Sequence, residues 1–132
     1  MKILLDTQIF LWMFLMSSRI SVNVETLLQD STNELFLSSA SSWEISIKYA
    51  AGKLKLPSAP EIYAPSRMKM ANLKRIEITY EHTLAIANLP PIHKDPFDRI
   101  LIVQANVENL TLLSADSFFG NYSVKPIDAN AY

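Results

Sequence analysis

The apolar runs of this chain are short. Lys2 to Leu5, Leu35 to Leu37, Thr111 to Leu113 and Val124 to Ile127 are each three or four residues long. None shows the polar alternation of a half-exposed strand, and each is too brief for a buried helix. Runs of this kind suit strands covered on both faces. Arg75 to Ile78 reads as a weaker strand. The stretches between them carry helical spacing, and strands alternating with helices predict an α/β domain built on a parallel sheet.

Capping residues punctuate the helices. A helix is expected from about Thr7 to Met16, and Ser21 reads as the N-cap of the next, which runs to about Asp30 with Val24, Leu27 and Leu28 on one face. Ser38, Ser39, Ser41 and Ser42 are all capping candidates for a helix that Gly52 stops. Lys53 to Pro65 holds three prolines and reads as a connection, followed by a helix to about Ala71. Tyr80 to Leu89 is a helix ended by Pro90 and Pro91. Asp95 and Pro96 open a helix to about Glu108, with Asp95 as N-cap and Pro96 at the first helical position.

The residue inventory removes most catalytic chemistry. The 132 residues suit a single domain over 1–132. There is no cysteine, so thiolate catalysis, disulfides and cysteine-held metals are excluded. Two histidines, His82 and His93, are spaced for no zinc motif, and two glycines, Gly52 and Gly120, cannot build a phosphate-cradling loop. A net charge of −1 announces no basic field. The apolar N-terminus is broken at Asp6 and reaches neither a cleavage signal nor a membrane span, so a soluble, cytoplasmic protein is expected.

Carboxylates remain, and their positions matter. Asp6 follows the first strand and Asp116 follows the run at 111–113; in open parallel sheets the binding crevice lies outside the strands' carboxyl ends. Glu44 and Asp98 are each expected in the first turn of a helix starting at that rim. Four converging acids suit a hard divalent cation, Mg²⁺ or Mn²⁺, which lowers the pKa of a bound water and so prepares attack on a phosphodiester. Each acid also has a plainer reading. Ser41-Ser42-Trp43-Glu44 is a capping box, Asp98 favours the helix dipole, and Asp6 and Asp116 can cap the segments after them. Lys48 follows Glu44 by four and reads as its ion-pair partner. Lys53, Lys55, Lys94, Arg99 and His93 stand near the rim either as phosphate contacts or as plain surface. Trp12, Met13, Phe14 and Met16 are assigned to packing in the core or an interface, ahead of a base-stacking platform.

The segments Leu4-Leu5-Asp6-Thr7, Ser41-Ser42-Trp43-Glu44-Ile45-Ser46-Ile47-Lys48 with Gly52-Lys53-Leu54, Leu89-Pro90 with His93-Lys94-Asp95-Pro96-Phe97-Asp98-Arg99, and Leu112-Leu113-Ser114-Ala115-Asp116 together resemble the PIN-domain family. The likeness is to its VapC-type branch, the toxin ribonucleases of bacterial type II toxin–antitoxin systems, and runs from residue 2 to about 127. It implies a three-layer α/β/α sandwich on a parallel sheet of four to five strands, and a Mg²⁺- or Mn²⁺-dependent endoribonuclease. By the same resemblance Asp6, Glu44, Asp98 and Asp116 are the catalytic and metal-binding quartet, supported by Asp95, Ser114, Arg99, Thr7 and Lys48. It further implies a homodimer, an RNA substrate and a cognate antitoxin that holds the enzyme inactive. Gln8 and Ser114 depart from the family pattern, where histidine and threonine are frequent. The alternative is a catalytically inactive PIN module, a scaffold that binds protein or RNA. A phosphatase with an aspartyl nucleophile ranks below both, since the position two after Asp6 is Gln8.

Overall fold

Ile3, Leu4 and Leu5 are all 0% exposed, as a strand covered on both faces requires. They form β1 (Lys2–Leu5) of a computed structural model that describes residues 1–91, 95–115 and, for the backbone, 126–128. The other strands are β2 (Glu34–Ser38), β3 (Leu73–Ile76), β4 (Thr111–Ser114) and β5 (Pro126–Asp128). All pair in parallel in the order β3-β2-β1-β4-β5, with Leu5 beside Leu37 on one side and Leu113 on the other. The order changes direction at β1 and β4, which creates a crevice at their carboxyl ends.

The helices are α1 (Thr7–Leu15), α2 (Val22–Gln29), α3 (Ser39–Ala50), α4 (Pro60–Met70), α5 (Tyr80–Ala85) and α6 (Pro96–Val107). Alternate residues of β1 point to opposite layers. Leu4 packs with Leu112 and with Leu101, Ile102 and Ala105 of α6. Ile3 and Leu5 pack with Ile9 of α1 and with Val24 and Leu27 of α2. Phe10, Ile45 and Tyr63 extend that second layer through α3 and α4 around Leu37. The three-layer α/β/α sandwich and its parallel sheet are as expected. Among the described residues no helix is long and apolar enough to cross a membrane.

Most element boundaries match the sequence reading, and the exceptions have physical causes. Pro65 lies inside α4 and not in a connection. It sits on the exposed side, where the carbonyl its ring leaves without a partner meets water. The third strand begins two residues earlier than its apolar pattern suggests, because Asn72 turns the chain with φ 54° directly after α4. Asn109, φ 55°, makes the same turn between α6 and β4; asparagine tolerates this left-handed backbone better than most residues. The helix expected to Leu89 tightens into a 3₁₀ turn at Ile86–Asn88. The last strand is described at Pro126–Asp128; Val124 and Lys125 of the expected run lie outside the described residues.

Candidate active site

The pairing of Leu5 with Leu113 sets Asp6 beside Ser114 at the carboxyl edge of the sheet. The Asp6 amide donates to the Leu113 carbonyl at 3.0 Å, so the acid's backbone is fixed by the sheet itself. Its side chain is 5% exposed and fully engaged. Oδ1 accepts the Ile9 amide at 2.8 Å as the N-cap of α1, and Oδ2 accepts the Ser114 hydroxyl. The next residue, Thr7, donates to Ser41 Oγ at 2.9 Å and ties the start of α1 to α3. Both hydroxyls are buried.

The capping box expected at Ser41 to Glu44 is not formed. Ser38 caps α3 instead, accepting the Ala40 amide at 3.0 Å, which moves Glu44 out of the first turn into the second. The shift directs Glu44 into the rim, where it is 7% exposed and accepts a hydrogen bond from Lys48 Nζ at 2.8 Å. That bond raises the Lys48 pKa from its ordinary value against the opposing effect of burial, and the charges of Glu44, Asp95 and Asp98 raise it further. Lys48 is thus both the ion-pair partner of Glu44 and a cation held among acids.

α6 begins at the same rim. Asp95 caps it, with Oδ1 accepting the amides of Phe97 at 2.8 Å and Asp98 at 3.2 Å. Asp98 stands in the first turn as expected, at the positive end of the helix. The Phe97 ring meets Trp43 edge to face, with centroids 4.9 Å apart, and so joins the helices that carry Asp98 and Glu44.

These side chains line one cleft of about 480 Å³, whose walls are Asp6, Thr7, Gln8, Leu11, Trp12, Glu44, Lys48, Asp95, Asp98 and Ala115. Among the described residues, four carboxylates and one ammonium, that of Lys48, line it. That excess negative charge calls for a cation, and an all-oxygen donor set is hard. Among the described residues no three acids or histidines are close enough to enclose one metal ion. An ion that these residues could hold is one that keeps several of its waters and takes one or two carboxylates, the habit of Mg²⁺. A larger cleft, about 690 Å³, lies beside the end of α1 among Met13, Phe14, Ile20 and Leu28. Among the described residues, the ionisable groups that line it are Glu25 and Asp30. The smaller cleft is the chemical one.

Arg99 does not line this cleft; its guanidinium donates to the carbonyls of Ile86 and Pro90. Lys53 and Lys55 are exposed on the connection after α3 and do not line it either. Asp116, His93 and Lys94 lie outside the described residues. The sequence reading missed Gln8 and Leu11 as cleft residues, and for Trp12 it ranked packing above a base-stacking platform; the side chain both packs on the core and lines the cleft. The signal was available: Gln8, Leu11 and Trp12 stand at i, i+3 and i+4 on the helix that Asp6 caps, so one face of α1 continues the rim that Asp6 begins.

Fold and cleft together define an α/β domain that gathers carboxylates at the carboxyl edge of a parallel sheet. The chain belongs to the PIN domain family, whose model matches residues 3–125 and so spans every residue of the cleft. Ribonuclease VapC16 of Mycobacterium tuberculosis is 39% identical over 57 residues, which are 43% of this chain and 40% of that protein. The fold is similar to VapBC2 of Rickettsia felis, solved with a DNA fragment from its promoter: TM-score 0.70, 20% identity, 96% of this chain and 98% of that one. It is also similar to FitAcB of Neisseria gonorrhoeae, with TM-score 0.69 and 17% identity over 98% of this chain and 99% of that one.

Proposed function

We propose that this chain is a VapC-type endoribonuclease that hydrolyses RNA phosphodiester bonds with Mg²⁺ or Mn²⁺. The observation that carries the reading is the convergence of Asp6, Glu44 and Asp98 from three elements on one cleft at the switch point of the sheet. The name of the mycobacterial relative supports a ribonuclease, and the toxin–antitoxin structures of similar fold support control by a cognate antitoxin. A homodimer and a cytoplasmic location belong to the same proposal.

Of Asp6, Glu44 and Asp98, with Asp116 from outside the described residues, one or two would hold the metal directly and the others would meet it through its waters. When bound, a divalent cation supplies an activated water and offsets the charge of the phosphate. The chain's own groups do the rest. Ser114 and the Ile9 amide fix the Asp6 carboxylate in one orientation, so it needs no rearrangement on binding. Lys48, kept protonated by Glu44, is the cation in the cleft that can meet a phosphate oxygen. The amino end of α6 adds its partial positive charge beside Asp98.

The second reading, an inactive PIN module that serves as a protein or RNA scaffold, draws on the structural duties these acids perform. Asp6 and Asp95 both cap helices and Glu44 pairs with Lys48. Calorimetric titration with Mn²⁺ separates the two. The nuclease reading predicts binding that Asp98→Asn weakens at least tenfold or so, whereas a scaffold takes up Mn²⁺ without regard to Asp98 or not at all.

A further inference from the structure

Cleaving RNA in this cleft raises an electrostatic difficulty: a polyanion must approach four carboxylates whose neighbouring ammonium is tied to Glu44. The divalent cation and Lys48 answer the one phosphate in the cleft, so the rest of the strand must draw on groups that attract nucleotides by other means. The cleft wall supplies one. Trp12 is half-buried; it packs against the core cluster of Ile3, Leu5 and Ile9, while the same side chain lines the cleft beside Asp6 and Glu44. The ring is anchored, so offering it to a ligand costs little side-chain freedom.

Arg19 reinforces the indole. It closes the 3₁₀ turn at Ser17–Arg19, and its guanidinium lies 5.4 Å from the Trp12 ring centroid. Its side chain is exposed, and the ion pairs among the described residues do not include it. The guanidinium lies over the ring and does not line the cleft, so it steadies the indole, and the part of the ring that lines the cleft is what a base can meet. Trp43 is 58% exposed but does not line the cleft, and its ring is met at its edge by Phe97.

We infer that Trp12, steadied by Arg19, is the stacking platform for an unpaired base next to the phosphate held in the cleft. The inference rests on the ribonuclease reading above and narrows its substrate. A base inside a duplex shows only its edges, and an indole face reaches it only when the strand is single or locally open. Trp12 and Arg19 are therefore positioning residues, selecting unpaired RNA for the acids to act upon.

Intrinsic fluorescence tests this directly, because the chain has two tryptophans. In Trp43→Phe all emission comes from Trp12. Titrated with an unpaired octaribonucleotide in Ca²⁺, this variant is expected to lose about half of its emission, and the same oligonucleotide in a duplex is expected to leave it unchanged. Trp12→Phe should show no such quenching from Trp43. Arg19→Gln, an exposed change that keeps the fold, should raise KM for the single strand about tenfold with kcat preserved. Quenching that follows Trp43, quenching by duplex and single strand alike, or RNA cleavage by the wild type with unquenched Trp12 overturns the platform and leaves the nuclease reading standing. A wild type that neither binds nor cuts any RNA overturns both.

Discussion

Asp6 uses one oxygen to cap α1 and the other to accept Ser114, and a buried carboxylate so engaged is oriented before any ligand arrives. Ser114→Ala removes one of those partners while leaving the acid. Cleavage is expected to fall about tenfold with metal affinity weakened in step; kinetics and Mn²⁺ calorimetry on the one variant check it. Asp95 divides its duties differently, since one of its oxygens caps α6 through two amides. Asp95→Ala should cost about 1 kcal/mol of stability in urea unfolding, while Asp95→Asn keeps most of it. Tyr63, 0% exposed, carries a pH dependence of its own. Burial pushes its phenol above 10.0, and the nearby Arg67 charge counteracts only part of that. The native state then keeps its proton where the unfolded chain has begun to lose it. Stability contributed this way is complete below about pH 10 and is lost as pH rises through the higher native value. Tyr63→Phe should flatten the fall in urea midpoint between pH 9 and about 11.

At the scale of elements, α3 holds Glu44 and Lys48 in place from both ends. Ser38 fixes its start, and its end is closed by Gly52 at φ 72°, with Lys53 donating to the Lys48 carbonyl at 2.9 Å and Gly52 to Tyr49 at 3.1 Å. A Cβ at Gly52 would meet nothing within 4 Å, so the cost of Gly52→Ala is conformational alone. It should destabilise by about 1 kcal/mol without abolishing cleavage, as thermal unfolding and an activity assay would show. The elements were largely legible in the sequence because caps and apolar runs announce themselves. Lys2–Leu5, Ser21 before α2, and Asp95-Pro96 before α6 all stand where their chemistry says. Where several serines crowd one helix start, the first residue is degenerate from sequence, and tertiary packing chose Ser38 over Ser41. β3 pairs with β2 alone and has half-buried ends, so its register carries little apolar signal. Asp6, Glu44 and Asp98 were legible as a group. That Glu44 points into the cleft from the second turn, and that Trp12 forms its wall, depended on the packing of α1 against α3.

For the whole molecule, the near-neutral net charge of −1 conceals a local concentration of four carboxylates in one cleft. On the proposed function a cation bound there offsets their mutual repulsion and stabilises the native state by mass action. Mn²⁺ at about 100 times its Kd should therefore add about 2.7 kcal/mol and raise Tm, and Asp98→Asn should remove most of that rise. The parallel sheet brings residues from distant parts of the chain, Asp6 just after β1 and Asp98 in α6, to one rim; the fold's contribution to chemistry is that convergence. The measurement that tests it most directly is cleavage of single-stranded RNA by the wild type and by Asp98→Asn, in Mg²⁺, in Mn²⁺ and in excess chelator. Cleavage that requires the metal and falls more than about 100-fold in a folded Asp98→Asn protein is the predicted result. Undiminished cleavage by Asp98→Asn, or by the wild type in chelator, would contradict the assignment of this cleft as a metal-dependent ribonuclease site.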